Sequence, residues 1–165
     1  MALHIYPALF LGAALLANDT VAPPPAGPLP PSGSTSYTAY FACRQLISIE
    51  MGEIGSQSAA ECVGISKNSA DPGVFDNLSV RCIEEGEFRG ADAKFNGWCA
   101  QTDGDGDKFF TGYTGGDDGP MSYIGGTGKY KNVSVTGTWA VHDAPALPTG
   151  QFAFRLEYQV SWQPK

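Results

Sequence analysis

The sequence has few basic residues. Lys and Arg together number 10 against 17 Asp and Glu, which gives a formal net charge of −7 at pH 7. A protein that binds nucleic acid needs a basic surface to neutralise phosphates, so this composition argues against a nucleic-acid partner. An anionic membrane surface would also repel the chain.

Histidine is scarcer still, with two residues, His4 and His142. A serine or cysteine nucleophile needs a positioned base, and no Ser-His-Asp or Cys-His arrangement can be assembled from this sequence. A single histidine in the folded part also argues against a histidine-based metal site. The glycine-rich segment 125–130 has neither the spacing nor the following helix pattern of a phosphate loop. We therefore expect no cofactor.

Long hydrophobic runs are absent except for one, from Ile5 to Ala17, which is too short to span a bilayer comfortably. Residues 1–22 resemble a secretory signal, although no Lys or Arg precedes the apolar run. An apolar N-terminus that is disordered or docked on the fold is the alternative. We expect a secreted or periplasmic protein whose mature chain does not insert into a membrane.

Proline and small residues dominate the next segment, residues 23–36, which cannot build a core and is predicted to be an extended linker. The remaining chain, residues 37–165, is predicted to form one domain. Gly and Pro together make up 33 residues of the sequence, and few segments read as long helices. This composition favours an all-β fold.

Four cysteines are present, and no two of them form a C-x-x-C pair, so a zinc site is not expected. An even number in an exported chain suggests two disulfides, for which three pairings exist. Because Cys82 and Cys99 lie on consecutive predicted strands, we favour Cys43–Cys62 together with Cys82–Cys99. Four buried free thiols are the alternative.

Apolar and polar residues alternate from Tyr37 onward, as in strands with one buried face. About eight strands follow at the spacing of a sandwich or barrel, and we predict an antiparallel eight-stranded β-barrel. Gly52 to Ala60 is predicted to be a loop, and the acidic group that begins at Glu84 is expected near a rim. The last strand shows the clearest alternation, with one face formed by Phe152, Phe154, Leu156, Tyr158, Val160 and Trp162.

One glycine-rich motif is Gly125-Gly126-Thr127-Gly128-Lys129-Tyr130, followed by Gly137. It resembles the motif of the allene oxide cyclase and dirigent superfamily. The hairpin from Trp98 to Phe110 resembles one in exported bacterial members. The resemblance covers the chain from about Leu78 to its end and implies a barrel with a lumen open at one end. Cyclases of this superfamily steer an unstable epoxide through ring closure, and dirigent proteins orient radical coupling. No residue here can be matched to the cyclases' catalytic glutamate.

Three aspartates, Asp103, Asp105 and Asp107, alternate with glycine in that hairpin. An EF-hand loop would need Gly and Glu where Lys108 and Thr114 stand, so the pattern fails as an EF-hand. A tight hairpin turn is the main interpretation. Weak calcium binding by the three carboxylates is the alternative, and otherwise no metal is expected.

Other candidate site residues depend on the lumen. Glu50 and Glu157 are catalytic candidates if the mixed faces of their strands line it, and ordinary surface carboxylates if those faces point outward. Four tyrosines could offer hydroxyls to a ligand: Tyr37, Tyr113, Tyr123 and Tyr158.

Three functions compete. The leading hypothesis is an exported barrel that binds a small apolar or aromatic molecule in its lumen. The second is a cofactor-independent cyclase or isomerase that shapes its substrate and uses one carboxylic acid. The third is a structural or surface-assembly module that forms a homo-oligomer.

Overall fold

Eight antiparallel strands form a closed barrel in the computed structural model, which describes residues 28–145, 147 and 150–165. Each strand pairs with its neighbours in sequence, and β8 pairs with β1 to close the sheet. The predicted all-β barrel is therefore confirmed, while the predicted signal segment lies outside the described residues. The strands are β1 Gly33–Glu50, β2 Ser56–Lys67, β3 Ser79–Arg89, β4 Asp92–Thr102, β5 Lys108–Gly115, β6 Asp118–Gly126, β7 Val133–Asp143 and β8 Gln151–Pro164.

Strand alternation decides which side chains enter the barrel. On β8 the apolar residues Leu156, Tyr158, Val160 and Trp162 are buried, as their spacing predicts. β1 begins at Gly33, inside the segment predicted to be linker. Within the described residues no helix is long and apolar enough to cross a membrane.

A loop between β2 and β3 fills one end of the barrel. Its Phe75 is fully buried, and its ring packs against Phe109, Tyr130 and Trp162 at centroid distances of 5.4 to 6.0 Å. The Ser66 hydroxyl donates a hydrogen bond to the Phe75 carbonyl at 2.8 Å. This end is therefore closed by aromatic packing, and an opening remains only at the opposite end of the described barrel.

Two disulfides join neighbouring strands, Cys43–Cys62 between β1 and β2 and Cys82–Cys99 between β3 and β4. The favoured pairing is confirmed, and the alternative of free thiols is wrong. The register also places Cys62 opposite Cys82, so the four cysteines form one row across four strands inside the barrel. The Cα atoms of the two bonded pairs are 4.0 and 4.1 Å apart.

The predicted loop from Gly52 to Ala60 is too long, because β2 already begins at Ser56. The small residues from Ser56 to Ala60 pair with β3 between Phe88 and Glu84. Ser56 and Ser58 line the open cavity rather than a packed core, so this part of β2 carries no apolar alternation. Pairing between β1 and β8 ends at Arg44, whereas β1 continues to Glu50. The β1–β2 hairpin therefore rises above β8 as one wall of the open end.

Candidate functional site

A cavity of about 530 Å³ occupies the open end of the barrel. Pockets that hold small organic ligands lie in this size range and are mostly apolar with a few polar groups. The floor includes Leu156, and one side is the β1–β2 hairpin. The aromatic side chains that line the cavity are Phe88, Phe95, Tyr113, Trp139, Phe152 and Phe154.

Glu84 is the acid of this cavity. It follows Val80 and Cys82 on the inward face of β3, and its side chain is only 7% exposed. The Tyr113 hydroxyl donates a hydrogen bond to Glu84 Oε2 at 2.6 Å. Burial raises the pKa of the Glu84 carboxyl, and the Tyr113 hydrogen bond opposes that rise in part. The cavity therefore holds a carboxyl group with an increased affinity for its proton.

Tyr113 owes its position to a glycine on the neighbouring strand. Gly97 lies opposite Tyr113 in the β4–β5 register, and a Cβ at Gly97 would lie 2.4 Å from the Tyr113 hydroxyl oxygen. The Tyr113 and Trp139 rings meet edge to face at a centroid distance of 5.6 Å. Burial is also the main cause that raises the pKa of Tyr113, so its hydroxyl remains a hydrogen-bond donor.

The candidate tyrosines are dispersed by the fold, and only Tyr113 among them lines the cavity. Tyr37 and Tyr158 are buried and stack on each other at 4.8 Å within the core. Tyr123 packs on Phe109 and donates a hydrogen bond to the Tyr130 carbonyl.

The structure also places the two candidate acids at different sites. Glu50 lies at the cavity mouth on the β1–β2 hairpin. Glu157 points outward from β8 and pairs with His142 at 2.6 Å. Sequence reasoning did not select Glu84 or Trp139, although both continue an inward alternation: Val80, Cys82, Glu84 on β3, and Val133, Val135, Trp139 on β7. The charged run around Glu84 predicts a position near a rim, whereas the structure buries this side chain inside the barrel.

The acidic hairpin forms a tight turn. The Asp103 carboxylate accepts backbone hydrogen bonds from Asp105 at 2.9 Å and Asp107 at 3.0 Å. The Lys129 ammonium lies 2.7 Å from Asp103 Oδ2 and 3.2 Å from Asp105 Oδ2. A cation of the protein itself therefore lies between these carboxylates. Among the residues that the structure describes, no group of three or more His, Cys, Asp or Glu is placed to hold a metal ion.

The glycine motif is adapted to this hairpin. Gly128 has a φ of 48°, and a Cβ there would lie 1.8 Å from Asp107 Oδ1. The same carboxylate accepts a hydrogen bond from the Lys129 backbone N–H at 3.0 Å. The motif thus ties the β6–β7 connection to the β4–β5 turn at the filled end of the barrel, away from the cavity.

No protein-family model matches this sequence, and no curated protein has significant sequence similarity to it. Among solved structures, the chain is similar to the pterocarpan synthase dirigent protein GePTS1, with a TM-score of 0.53 and 11% sequence identity. The match covers 81% of this chain and 92% of that protein. At this level of identity the similarity concerns the fold alone. The chain has a dirigent-like eight-stranded barrel fold.

Proposed function

We propose that the protein is an exported binding protein that holds an apolar or aromatic small molecule at the open end of its barrel. The observation that carries this proposal is the cavity of about 530 Å³, whose walls are mostly aromatic and whose polar groups are few. Export is supported by the two disulfides, since disulfides persist in oxidising compartments.

Native mass spectrometry of the protein purified from its source tests this function, because a retained small molecule adds its mass to the intact chain. A Val141→Trp variant should lose the molecule, since Val141 lines the cavity and the larger side chain fills it. Val63→Trp is the matched control, because Val63 is 52% exposed on the outside of β2. Retention of the molecule by the Val141→Trp variant would place the binding site elsewhere.

A cofactor-independent isomerase or cyclase is the second candidate, and Glu84 is the observation that favours it. A buried carboxyl with a raised pKa can act as a general acid towards an oxygen of a bound substrate, and an isomerase would return that proton at the end of the reaction. Tyr113 would orient the carboxyl through their hydrogen bond.

The two candidates differ in what a Glu84→Gln variant retains. If the protein is a catalyst, the wild type would carry product and the Glu84→Gln variant would carry unconverted substrate. If it is a binding protein, both would carry the same molecule. Mass spectra with fragmentation of the released molecule distinguish these outcomes. Identical molecules in both proteins would reject the isomerase candidate.

A further inference from the structure

We propose, building on the binding function inferred above, that the ligand of the cavity is an organic cation, an apolar body that carries a protonated amine. Three lining residues are carboxylic acids, Glu50, Glu84 and Asp117, and none of the described residues that line the cavity is Lys, Arg or His. A bound carboxylate would meet only like charges there, whereas an ammonium would meet charges of opposite sign.

Two arginines of this end of the barrel are already paired on the outer surface. Arg89 forms an ion pair with Glu87 at 2.5 Å, and Arg155 forms one with Asp143 at 2.7 Å. Neither arginine lines the cavity. Because these arginines are paired with other carboxylates, they do not neutralise the acidic side chains of the cavity. The net charge of −7 also attracts cations to the molecule as a whole.

The aromatic walls favour the same class of ligand. Tyr113 and Trp139 meet edge to face at 5.6 Å, and Phe88 and Phe95 meet edge to face at 5.7 Å. The faces of aromatic rings carry partial negative charge, so rings in several orientations attract an ammonium group and also pack on its apolar body. An uncharged ligand gains only the second of these interactions.

Glu84 is placed to recognise the charge. Its carboxyl lies within the cavity wall rather than in bulk water, and the Tyr113 hydroxyl fixes one of its oxygens. An ammonium beside this carboxyl forms a charge-assisted hydrogen bond, which is stronger than a bond between neutral partners. Glu50 and Asp117, which are exposed at the mouth, add attraction over a longer distance.

A matched set of three probes tests the inference by isothermal titration calorimetry: 2-naphthylmethylamine, 2-naphthalenemethanol and 2-naphthoate at neutral pH. They share one ring system and differ in charge. We expect the amine to bind wild-type protein about 10-fold more tightly than the alcohol, and the naphthoate to bind most weakly.

In the Glu84→Gln variant the preference for the amine over the alcohol should become smaller than in the wild type, because only Glu50, Asp117 and the aromatic rings still attract the charge. The affinity for the alcohol should be unchanged. Glu85→Gln is the matched control, since Glu85 is the next residue on β3, is exposed and faces outward. It removes the same charge and should leave the order of the three probes as in the wild type.

The inference is overturned if the alcohol or the naphthoate binds wild-type protein as tightly as the amine, or if Glu84→Gln keeps the full preference for the amine. The wild-type comparison decides by itself if the variant does not fold. If the alcohol binds but the amine has no advantage, the binding function stands and only the cation preference fails. If none of the three probes binds, both are rejected.

Discussion

The carboxyl of Glu84 is a buried ionisable group on the inner surface of the barrel. Its pKa is raised above the ordinary value of 4.5, with burial as the main cause. When the pH rises, the unfolded chain therefore releases this proton before the folded protein does. Between the two pKa values the folded state binds more protons, so the stability contributed by this group falls as the pH rises.

Replacing Glu84 with Gln should remove this pH dependence, because the amide cannot ionise yet still accepts the Tyr113 hydrogen bond. We expect wild type and variant to have similar free energies of unfolding near pH 4 and the variant to gain relative stability towards about pH 8. Urea denaturation across this range measures the difference. Glu85→Gln, on the exposed face of the same strand, should show no such trend. If the free energies of unfolding of wild type and Glu84→Gln changed with pH in parallel, burial would not be raising the pKa of Glu84.

Gly128 is a position where only glycine fits. A Gly128→Ala substitution would put a Cβ against the Asp107 carboxylate at a backbone φ of 48°. We expect a loss of about 1–3 kcal/mol in the free energy of unfolding. Gly125→Ala in the same motif is the control, since a Cβ there meets nothing within 4 Å. Chemical denaturation of both variants measures the two losses of stability. Equal losses would show that the close approach between Gly128 and the Asp107 carboxylate does not affect stability.

At the scale of the elements, the loop between β2 and β3 supplies the closed end of the barrel. Phe75 adopts a φ of 51°, which side chains rarely do, and the Ser66 and Asn68 side chains hold the carbonyls of Phe75 and Val74 at 2.8 and 2.7 Å. Tertiary packing therefore overrides local backbone preference in this loop.

Phe75→Ala should destabilise the protein by about 3–5 kcal/mol, the usual cost of removing a buried phenylalanine. Phe88→Ala is the comparison, because Phe88 is 37% exposed at the rim and loses fewer contacts. Thermal and urea unfolding of the two variants give the values. A smaller loss of stability for Phe75→Ala than for Phe88→Ala would contradict the role of Phe75 in closing this end of the barrel.

The two disulfides lie in the β1–β4 wall and close loops of similar length. Their sequence separations are 19 and 17 residues, so in the chain-entropy view each stabilises by about 3 kcal/mol. We expect the Cys43→Ala/Cys62→Ala and Cys82→Ala/Cys99→Ala variants to lose stability by similar amounts in urea denaturation. A large difference between the two would show that packing in the cysteine row outweighs loop closure.

At the scale of the whole molecule, the barrel has one filled end and one open end, and its outer surface is partly apolar. Ile83 and Trp98 lie opposite each other on β3 and β4 and are 58% and 51% exposed. Apolar surface of this kind favours association. The homo-oligomer belongs to the third hypothesis drawn from the sequence and stays a prediction. Sedimentation velocity should show a species heavier than one chain, and a single monomer boundary would reject both that expectation and the assembly-module hypothesis.

Much of the fold follows from short-range pattern in the sequence. The alternation on β8 identified its buried face, and the placement of Cys82 and Cys99 on consecutive strands identified their bond. The site was harder to predict, because a glutamate in a charged run gives the same local signal whether it faces water or a cavity. Continuing the alternation from Val80 and Cys82 would have placed Glu84 inside.

The sequence by itself determined an all-β fold of about eight strands, the buried face of β8 and the favoured cysteine pairing, since these depend on period-two spacing and on neighbouring strands. Only the tertiary structure decided how high each inward side chain lies along the barrel. Tyr37 and Tyr113 both face inward, yet the stagger between strands and the β1–β8 closure bury Tyr37 in the core and bring Tyr113 to Glu84 at the open end. That height depends on hydrogen-bond register between distant parts of the chain, which alternation within one strand does not encode.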